Sequence, residues 1–238
     1  MLNVGRMSPD HPPFTDVIFD MDGVLCASEP FIAEAACKMF AEMHGVTVQP
    51  LDFVPFVGTG EDRFIGGVAE KYGVTLVMPR DKERTYAIYL EIIKGRLQPL
   101  PGVHEFIADC RQRGVKLAVA TSADRVKLDG NLNEIGVPAQ TFDACITGSE
   151  IAHKKPDPEI FLTAARRLGV PATRCLVIED APSGVQAAKR AGSSCLGLTT
   201  SFSAAQLIEA GADWVSSDLA HVPAEIRACF AGLSSRGK

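Results

Sequence analysis

The amino-acid sequence predicts an α/β fold, a doubly wound parallel sheet with an inserted all-helical cap domain. Three observations predict it: short apolar runs alternate with helical patterns, these runs are apolar along their whole length, and one long stretch breaks the alternation. Strands that are buried on both faces have such continuous apolar runs. Strands that alternate with helices indicate a parallel sheet covered by helices on both sides.

Six strands and five helices make up the predicted sheet domain. Several helical stretches are followed by a glycine, as a C-terminal cap would be. These glycines are Gly114, Gly136, Gly169 and Gly192. The predicted strands are 17–19, 115–121, 143–147, 175–178, 194–198 and 214–215, and the predicted helices are 103–113, 125–135, 157–168, 182–191 and 203–210.

The stretch from about residue 29 to 97 contains no convincing parallel strand, and its apolar residues recur at the helical period. It predicts a helical insert between the first two strands, above the sheet edge where such folds bind ligands. Turn residues near 27–30 and 97–101 predict a hinge on which the insert closes. The predicted domains are a core of 14–27 and 98–232 and a cap of 28–97, with flexible ends at 1–13 and 233–238.

Composition and charge exclude several classes of protein. The chain has 238 residues and a formal net charge of -5, whereas proteins that bind nucleic acid usually carry a basic face. No apolar run approaches the roughly 18 residues of a membrane helix, so we expect no membrane insertion. The seven cysteines include no CxxC pair, which favours reduced, buried thiols. We expect a soluble intracellular monomer, cytoplasmic or, in a plant or alga, in the chloroplast stroma.

Two carboxylates, Asp20 and Asp22, directly follow the first predicted strand. In a continuing strand, residues two apart point the same way, so both would converge at the carboxyl edge of the sheet. One could act as a nucleophile and the other as a general acid/base, while Gly23 permits a sharp turn. The alternative is a polar turn after a strand, because Asp and Gly are common turn residues.

A second carboxylate pair, Glu179 and Asp180, ends the strand at 175–178. Four carboxylates at one sheet edge repel one another and require a cation. Oxygen ligands favour a hard ion, and Mg²⁺ suits a site that is shared with a substrate phosphate. The alternative role for Asp180 is to cap the helix that begins near Pro182.

Hydroxyl and amino groups complete the predicted site. Thr121 and Ser122 end the second strand and would present hydroxyls and backbone N–H groups to an anion. Lys154 and Lys155 precede a helix, where a lysine could neutralise a phosphoryl oxygen. Helix capping and a solvated basic loop are the alternatives. The four features together place an acid pair, hydroxyls, a lysine and a second acid pair in one crevice.

The segments FDMDGV, VATS, KKPDPEIF and VIEDAPSGV resemble, in this order, the four motifs of the haloacid dehalogenase superfamily. The helical insert resembles the cap of the subgroup that contains β-phosphoglucomutase and phosphoglycolate phosphatases, on a Rossmannoid core. The resemblance implies that Asp20 is the nucleophile and Asp22 the general acid/base, and that Thr121 and Lys155 are catalytic. It implies that Ser122 and Gly23 bind substrate. The implied Mg²⁺ ligands are Asp20, Asp22 (through its carbonyl), Glu179 and Asp180.

The resemblance leaves several chemistries to choose among. Dehalogenases that resemble this fold lack the second aspartate, so Asp22 favours transfer of a phosphoryl group. A mutase holds a second phosphate with a cap arginine, and Glu61 stands at the comparable position, where it would repel that phosphate. We therefore expect a phosphatase for a small phosphorylated metabolite, with a phosphoglucomutase-type transferase or a catalytically weak regulatory domain as alternatives. The expected substrate-reading cap residues are Thr59, Gly60, Glu61 and Arg63.

Two further segments, DFVPFVGTGEDRFIGGVA and ATSADR, resemble the phosphatase-like domain found in multidomain chloroplast proteins of plants. The chain would then be either a fragment of such a protein or a stand-alone relative. Cys26 lies close to the predicted crevice, where it is either a redox-sensitive thiol or a small apolar filler.

Overall fold

A parallel sheet of six strands forms the centre of the molecule. The computed structural model describes residues 14–58 and 60–231, so the ends predicted to be flexible lie largely outside the described residues. The strand order is β3-β2-β1-β4-β5-β6, and each neighbouring pair is parallel. This confirms the predicted doubly wound sheet. The strands are β1 (Asp16–Phe19), β2 (Leu117–Ala120), β3 (Ala144–Ile146), β4 (Cys175–Glu179), β5 (Ser194–Leu198) and β6 (Trp214–Ser216).

Both faces of the sheet are buried, which explains the continuous apolar runs in the strands. Along β1, Val17 and Phe19 belong to one hydrophobic cluster, whereas Ile18 belongs to the cluster on the opposite face. Each of these side chains is completely inaccessible to solvent. Because neighbouring residues of a strand point to opposite faces, both sides of the strand must be apolar.

Helices cover both faces of the sheet and also form the insert. The five predicted helices of the sheet domain correspond to α4 to α8, with ends shifted by one or two residues. The helix α9 was not predicted; its Phe230 packs edge-to-face against Phe14 and Phe106. The helices are α1 (Glu29–His44), α2 (Glu61–Tyr72), α3 (Arg80–Ile93), α4 (Val103–Gln112), α5 (Arg125–Glu134), α6 (Glu159–Leu168), α7 (Pro182–Arg190), α8 (Ala204–Glu209) and α9 (Ala224–Ala231).

The helices α1, α2 and α3 form the insert between β1 and β2, as the sequence predicts. Their interior contains stacked aromatic rings, with 4.8 Å between the ring centroids of Phe53 and Phe64. The two linkers to the core run side by side: the backbone N–H of Leu100 donates to the carbonyl of Leu25 at 2.9 Å, and an antiparallel bridge joins Cys26 to Pro99. The insert therefore enters and leaves the core at one place.

The cap also docks on the core through α3 and α5. The hydroxyl of Tyr89 donates to the side-chain oxygen of Asn131 at 2.5 Å, and the hydroxyl of Tyr86 donates to Asp124 at 3.1 Å. A Cβ atom at Gly130 would lie 2.4 Å from a methyl carbon of Leu90, so the two helices lie close together at this glycine. Within the described residues, no helix combines the length and apolar character that a membrane-spanning helix requires.

Candidate active site

The carboxyl ends of β1 and β4 lie side by side at the point where the strand order reverses. The pairing of Phe19 with Ile178 brings the residue after β1, Asp20, next to the end of β4. Ligands of doubly wound sheets bind in the crevice at such a switch point. A cavity of about 60 Å³ is found there, and it is lined by residues of the core and of the cap.

Asp20 is buried and is held by Lys155, which comes from the loop before α6. The ammonium group of Lys155 donates to a carboxylate oxygen of Asp20 at 2.5 Å and to one of Glu179 at 2.6 Å. Burial raises the pKa of Asp20 to about 7, although the charge of Lys155 opposes this rise. Lys154 points elsewhere, because its ammonium group donates to the carbonyl of Gly148. The structure therefore places Lys155, and not its neighbour, in the crevice.

Asp22 lines the same cavity as Asp20, as predicted from their spacing. One carboxylate oxygen of Asp22 accepts a hydrogen bond from Lys127 at 2.9 Å. Its other oxygen accepts from the hydroxyl of Ser28 and from the amide of Asn131, the latter at 3.4 Å. These donors fix the carboxylate from both sides and leave it at the cavity wall.

Gly23 makes the turn after the acid pair but does not itself line the cavity. Its φ of 78° is accessible to glycine at little cost. A Cβ atom at this position would lie 1.9 Å from a carboxylate oxygen of Asp180. Any other residue at position 23 would therefore clash with the second acid pair. The hydroxyl of Thr200 donates to the carbonyl of Gly23 at 2.5 Å and fixes the turn from the far side.

Glu179 and Asp180 are both buried at the end of β4. One oxygen of Glu179 accepts from the backbone N–H groups of Asp180 and Ala181, at 2.8 and 2.9 Å, while the other accepts from Lys155. Burial raises the pKa of Asp180 well above its ordinary value, and the charges of Glu179 and Asp20 raise it further. The N-cap of α7 is Ala181, so Asp180 does not cap that helix.

These oxygen donors fit a divalent cation. Burial, and then repulsion between neighbouring carboxylates, raises the pKa values of Asp20 and Asp180, and a positive charge among these groups would stabilise their ionised forms. The donors are all oxygen atoms, which favours a hard ion such as Mg²⁺. Among the described residues, the one His/Asp/Glu cluster that geometry alone picks out as a possible metal site is His153, Asp157 and Glu159. It lies at the start of α6 and does not line the cavity.

Thr121 and Ser122 also line the cavity. Thr121 is buried, and its hydroxyl accepts a hydrogen bond from the backbone N–H of Ala123 at 3.1 Å. The N-cap of α5 is Asp124, so neither residue caps that helix. The hydroxyl proton of Thr121 therefore remains available to a bound anion.

The cap contributes part of the cavity wall. Gly60 and Glu61, at the start of α2, line the cavity beside the core. A Cβ atom at Gly60 would lie 3.6 Å from the carbonyl oxygen of Ser122, so cap and core backbones approach closely here. Thr59 lies outside the described residues.

Arg63 does not line the cavity. Its guanidinium group pairs with Glu70 at 2.9 Å, stacks over the ring of Phe56 and is about half exposed. Glu61 and Arg63 were both expected to recognise the substrate, but both lie in the first turn of α2, which begins at Glu61. Because residues of an α-helix are about 100° apart around its axis, Glu61 and Arg63 point in roughly opposite directions.

Two charged residues of the cavity were missed in the sequence. Lys127 contacts both Asp22 and Glu61, and Glu29 begins α1 beside Asp22. Burial raises the pKa of Glu29 to about 7, and the charge of Asp22 raises it further. The sequence holds no signal for Lys127, because its helix α5 is polar and has no clear apolar face.

Comparisons with known proteins agree with this geometry. A family model described as haloacid dehalogenase-like hydrolase matches residues 17–192. The Arabidopsis thaliana Protein SUPPRESSOR OF QUENCHING 1, chloroplastic, is 45% identical over an alignment of 231 residues, and the match covers 93% of this chain and 22% of that protein. Validoxylamine A 7'-phosphate phosphatase of Streptomyces hygroscopicus subsp. limoneus is 34% identical, and the match covers 86% of this chain and 94% of that enzyme.

A solved structure supports the fold alone. The crystal structure of CbbY from Rhodobacter sphaeroides in complex with phosphate is similar with a TM-score of 0.79 and 24% identity, over 87% of this chain and 95% of that chain. The predicted core with its helical cap is thereby confirmed. The resemblance to an enzyme family is confirmed by the family model and by the curated relatives.

Proposed function

Since the chain belongs to the haloacid dehalogenase-like hydrolase family, we propose that it is a Mg²⁺-dependent phosphatase that acts through an aspartyl-phosphate at Asp20. The substrate would be a small phosphorylated metabolite, such as a sugar phosphate or phosphoglycolate. One observation carries the proposal. Asp20 and Asp22 line one cavity of about 60 Å³ with Lys155, Thr121 and the second acid pair.

The first step is an attack of an Asp20 carboxylate oxygen on phosphorus. The bond from phosphorus to the ester oxygen breaks, and Asp22 gives a proton to the departing alkoxide. In the second step, Asp22 takes a proton from a water molecule, which attacks the same phosphorus atom and releases phosphate and Asp20. Asp22 is thus restored to its protonated form after one turnover.

Lys155 and Thr121 would bind the phosphoryl oxygens. The ammonium group of Lys155 already lies 2.5 Å from Asp20 and can neutralise charge on a phosphoryl group that is bound to it. Thr121, with Ser122, offers hydroxyl donors on the other side of the cavity. Asp20, the Asp22 carbonyl, Glu179 and Asp180 would hold the Mg²⁺, which when bound neutralises phosphoryl charge.

The cap side of the cavity supports a hydrolase over a mutase. Glu61 is buried there, with 9% of its surface exposed, and its carboxylate faces the core. A second phosphate in this position would meet a buried anion, although Lys127 compensates part of its charge. A mutase needs that second phosphate to be bound, whereas a phosphatase does not.

The Streptomyces relative is named as a phosphatase of validoxylamine A 7'-phosphate, which supports a phosphorylated metabolite as the substrate. A screen of phosphorylated sugars, phosphoglycolate and nucleotides, with phosphate release as the readout, would identify the substrate. A mutase would instead interconvert a sugar phosphate in the presence of its bisphosphate and release little phosphate.

The catalytic proposal is tested with p-nitrophenyl phosphate. We expect Mg²⁺-dependent phosphate release that EDTA abolishes, and loss of essentially all turnover in Asp20→Asn, because an amide does not attack phosphorus. Asp180→Ala should require much more Mg²⁺. The matched control is Asp129→Asn, since Asp129 is an exposed carboxylate paired with Arg125, away from the cavity. Substantial turnover by Asp20→Asn, or full activity in excess EDTA, would contradict the mechanism.

A further inference from the structure

A buried lysine, Lys127, lies at the contact between cap and core. Only 3% of its surface is exposed. Its ammonium group lies 2.9 Å from a carboxylate oxygen of Asp22 and 3.2 Å from one of Glu61. It also lies 6.0 Å from the ring centroid of Tyr89, on the cap helix α3.

The lysine remains charged in this buried position. Burial alone would lower the pKa of Lys127, but the carboxylates of Asp22 and Glu61 outweigh burial and hold it well above its usual range. A buried ion pair brings little stability compared with apolar side chains of similar volume. Stability alone therefore does not account for the two ion pairs of Lys127.

The two carboxylates belong to different parts of the molecule. Asp22 lies in the turn after β1 of the core, and Glu61 is the first residue of the cap helix α2. The other oxygen of Asp22 is bound by Ser28, at the entrance to the cap, and by Asn131, one turn after Lys127 on α5. Lys127 thus contacts both the Asp22 carboxylate of the core and the Glu61 carboxylate of the cap.

We propose that Lys127 is a positioning residue: it orients the Asp22 carboxylate and is the docking point on the core for Glu61 of the cap. The first half rests on the proposed function, because orientation of Asp22 matters only if Asp22 transfers protons. The second half does not, since docking of the cap is a property of the fold. Opening of the cap would separate Glu61 from Lys127 and leave Lys127 bound to Asp22.

The orienting role is tested by the dependence of the rate on the leaving group. Phenolate requires a proton from Asp22 more than p-nitrophenolate does. Lys127→Met should therefore lower kcat/KM for phenyl phosphate at least about tenfold more than for p-nitrophenyl phosphate. Lys127→Arg, which keeps the charge, should recover most of this difference. The matched control is Arg125→Met, which removes an exposed cation from the same helix.

The docking role is tested by hydrogen exchange of the whole chain. In Glu61→Gln, the hydrogen-bonded backbone amides of α2, from Phe64 onward, should exchange at least about tenfold faster than in the parent, because the cap is released more often. The exchange rates of the backbone amides of α7, which lies in the core, should not change. Glu61→Gln keeps the shape of the side chain and leaves all three hydrogen-bond donors of Asp22 in place, so it tests docking of the cap even if Lys127→Met fails to fold.

Two results would overturn the inference. One is an equal loss on both esters in Lys127→Met, and the other is unchanged exchange of α2 in Glu61→Gln. If the parent releases no phosphate from either ester, the proposed function fails, and the exchange experiment still decides whether Lys127 docks the cap.

Discussion

Without Mg²⁺ the protein should become more stable when the pH is lowered from 7 to 5. Burial raises the pKa of Asp20 from 3.8 to about 7. At pH values between 3.8 and about 7, the folded state binds a proton at Asp20 that the unfolded state does not bind. A proton that binds to the folded state and not to the unfolded state stabilises the folded state. The free energy of unfolding therefore increases as the pH falls through 7.

The size of the effect follows from the two pKa values. The full difference corresponds to about 4 kcal/mol, and about 2 kcal/mol of it develops between pH 7 and pH 5. Mg²⁺ favours the ionised carboxylates, so it should stabilise the protein most near pH 7 and reduce the dependence on pH. Glu29, whose pKa burial also raises to about 7, would add a contribution of the same sign.

Urea unfolding in EDTA at pH 5, 6 and 7 measures this dependence, and Asp20→Asn isolates the contribution of Asp20. The stability of the parent should rise by about 2 kcal/mol more than that of Asp20→Asn over this range. Asp129→Asn is the matched control and should follow the parent, because its carboxylate is exposed. Parallel curves for the parent and Asp20→Asn in EDTA would refute the reasoning.

Three other variants test single features of the site. Gly184→Ala should lower activity at least about tenfold while the chain stays folded, because the new Cβ would lie 1.7 Å from a carboxylate oxygen of Glu179. The control is Gly66→Ala, since a Cβ atom at Gly66 would have no atom within 4 Å. Cys26→Ser should lose activity in peroxide as fast as the parent, because burial raises the pKa of Cys26 and keeps the thiol protonated. A slower loss of activity in the variant than in the parent would indicate a redox role for Cys26. Arg63→Ala should leave the ratio of kcat/KM for two phosphate esters unchanged, and a tenfold change would place that side chain in the cavity.

The sequence predicts those parts of the protein that depend on local pattern. The strands could be found because burial of both faces makes every position apolar, as in β4. The sequence also predicted that the acid pairs after β1 and β4 lie close together, because parallel strands end at the same edge of the sheet. The helix α9 was missed because its short segment has no strong helical pattern.

The remaining parts of the site depend on contacts that no local pattern contains. Lys127 lies in a polar stretch of sequence, and only the packing of α5 under the cap shows that it faces Asp22 and Glu61. The direction of Arg63 depends on the residue at which α2 begins. An error of two residues in a helix start turns a side chain from the cavity to solvent.

The pairing of the two linkers makes the cap an exchangeable module. Leu25 and Leu100 are joined by a backbone hydrogen bond, so a short turn between them would close the core chain and preserve the register of β1 and β2. Insertions of very different size could therefore be accepted at this point during evolution. An exchange would still change the contacts of Asp22 and Lys127, because Ser28 and Glu61 leave with the cap. Under the proposed function, substrate choice and acid/base chemistry are then inherited together.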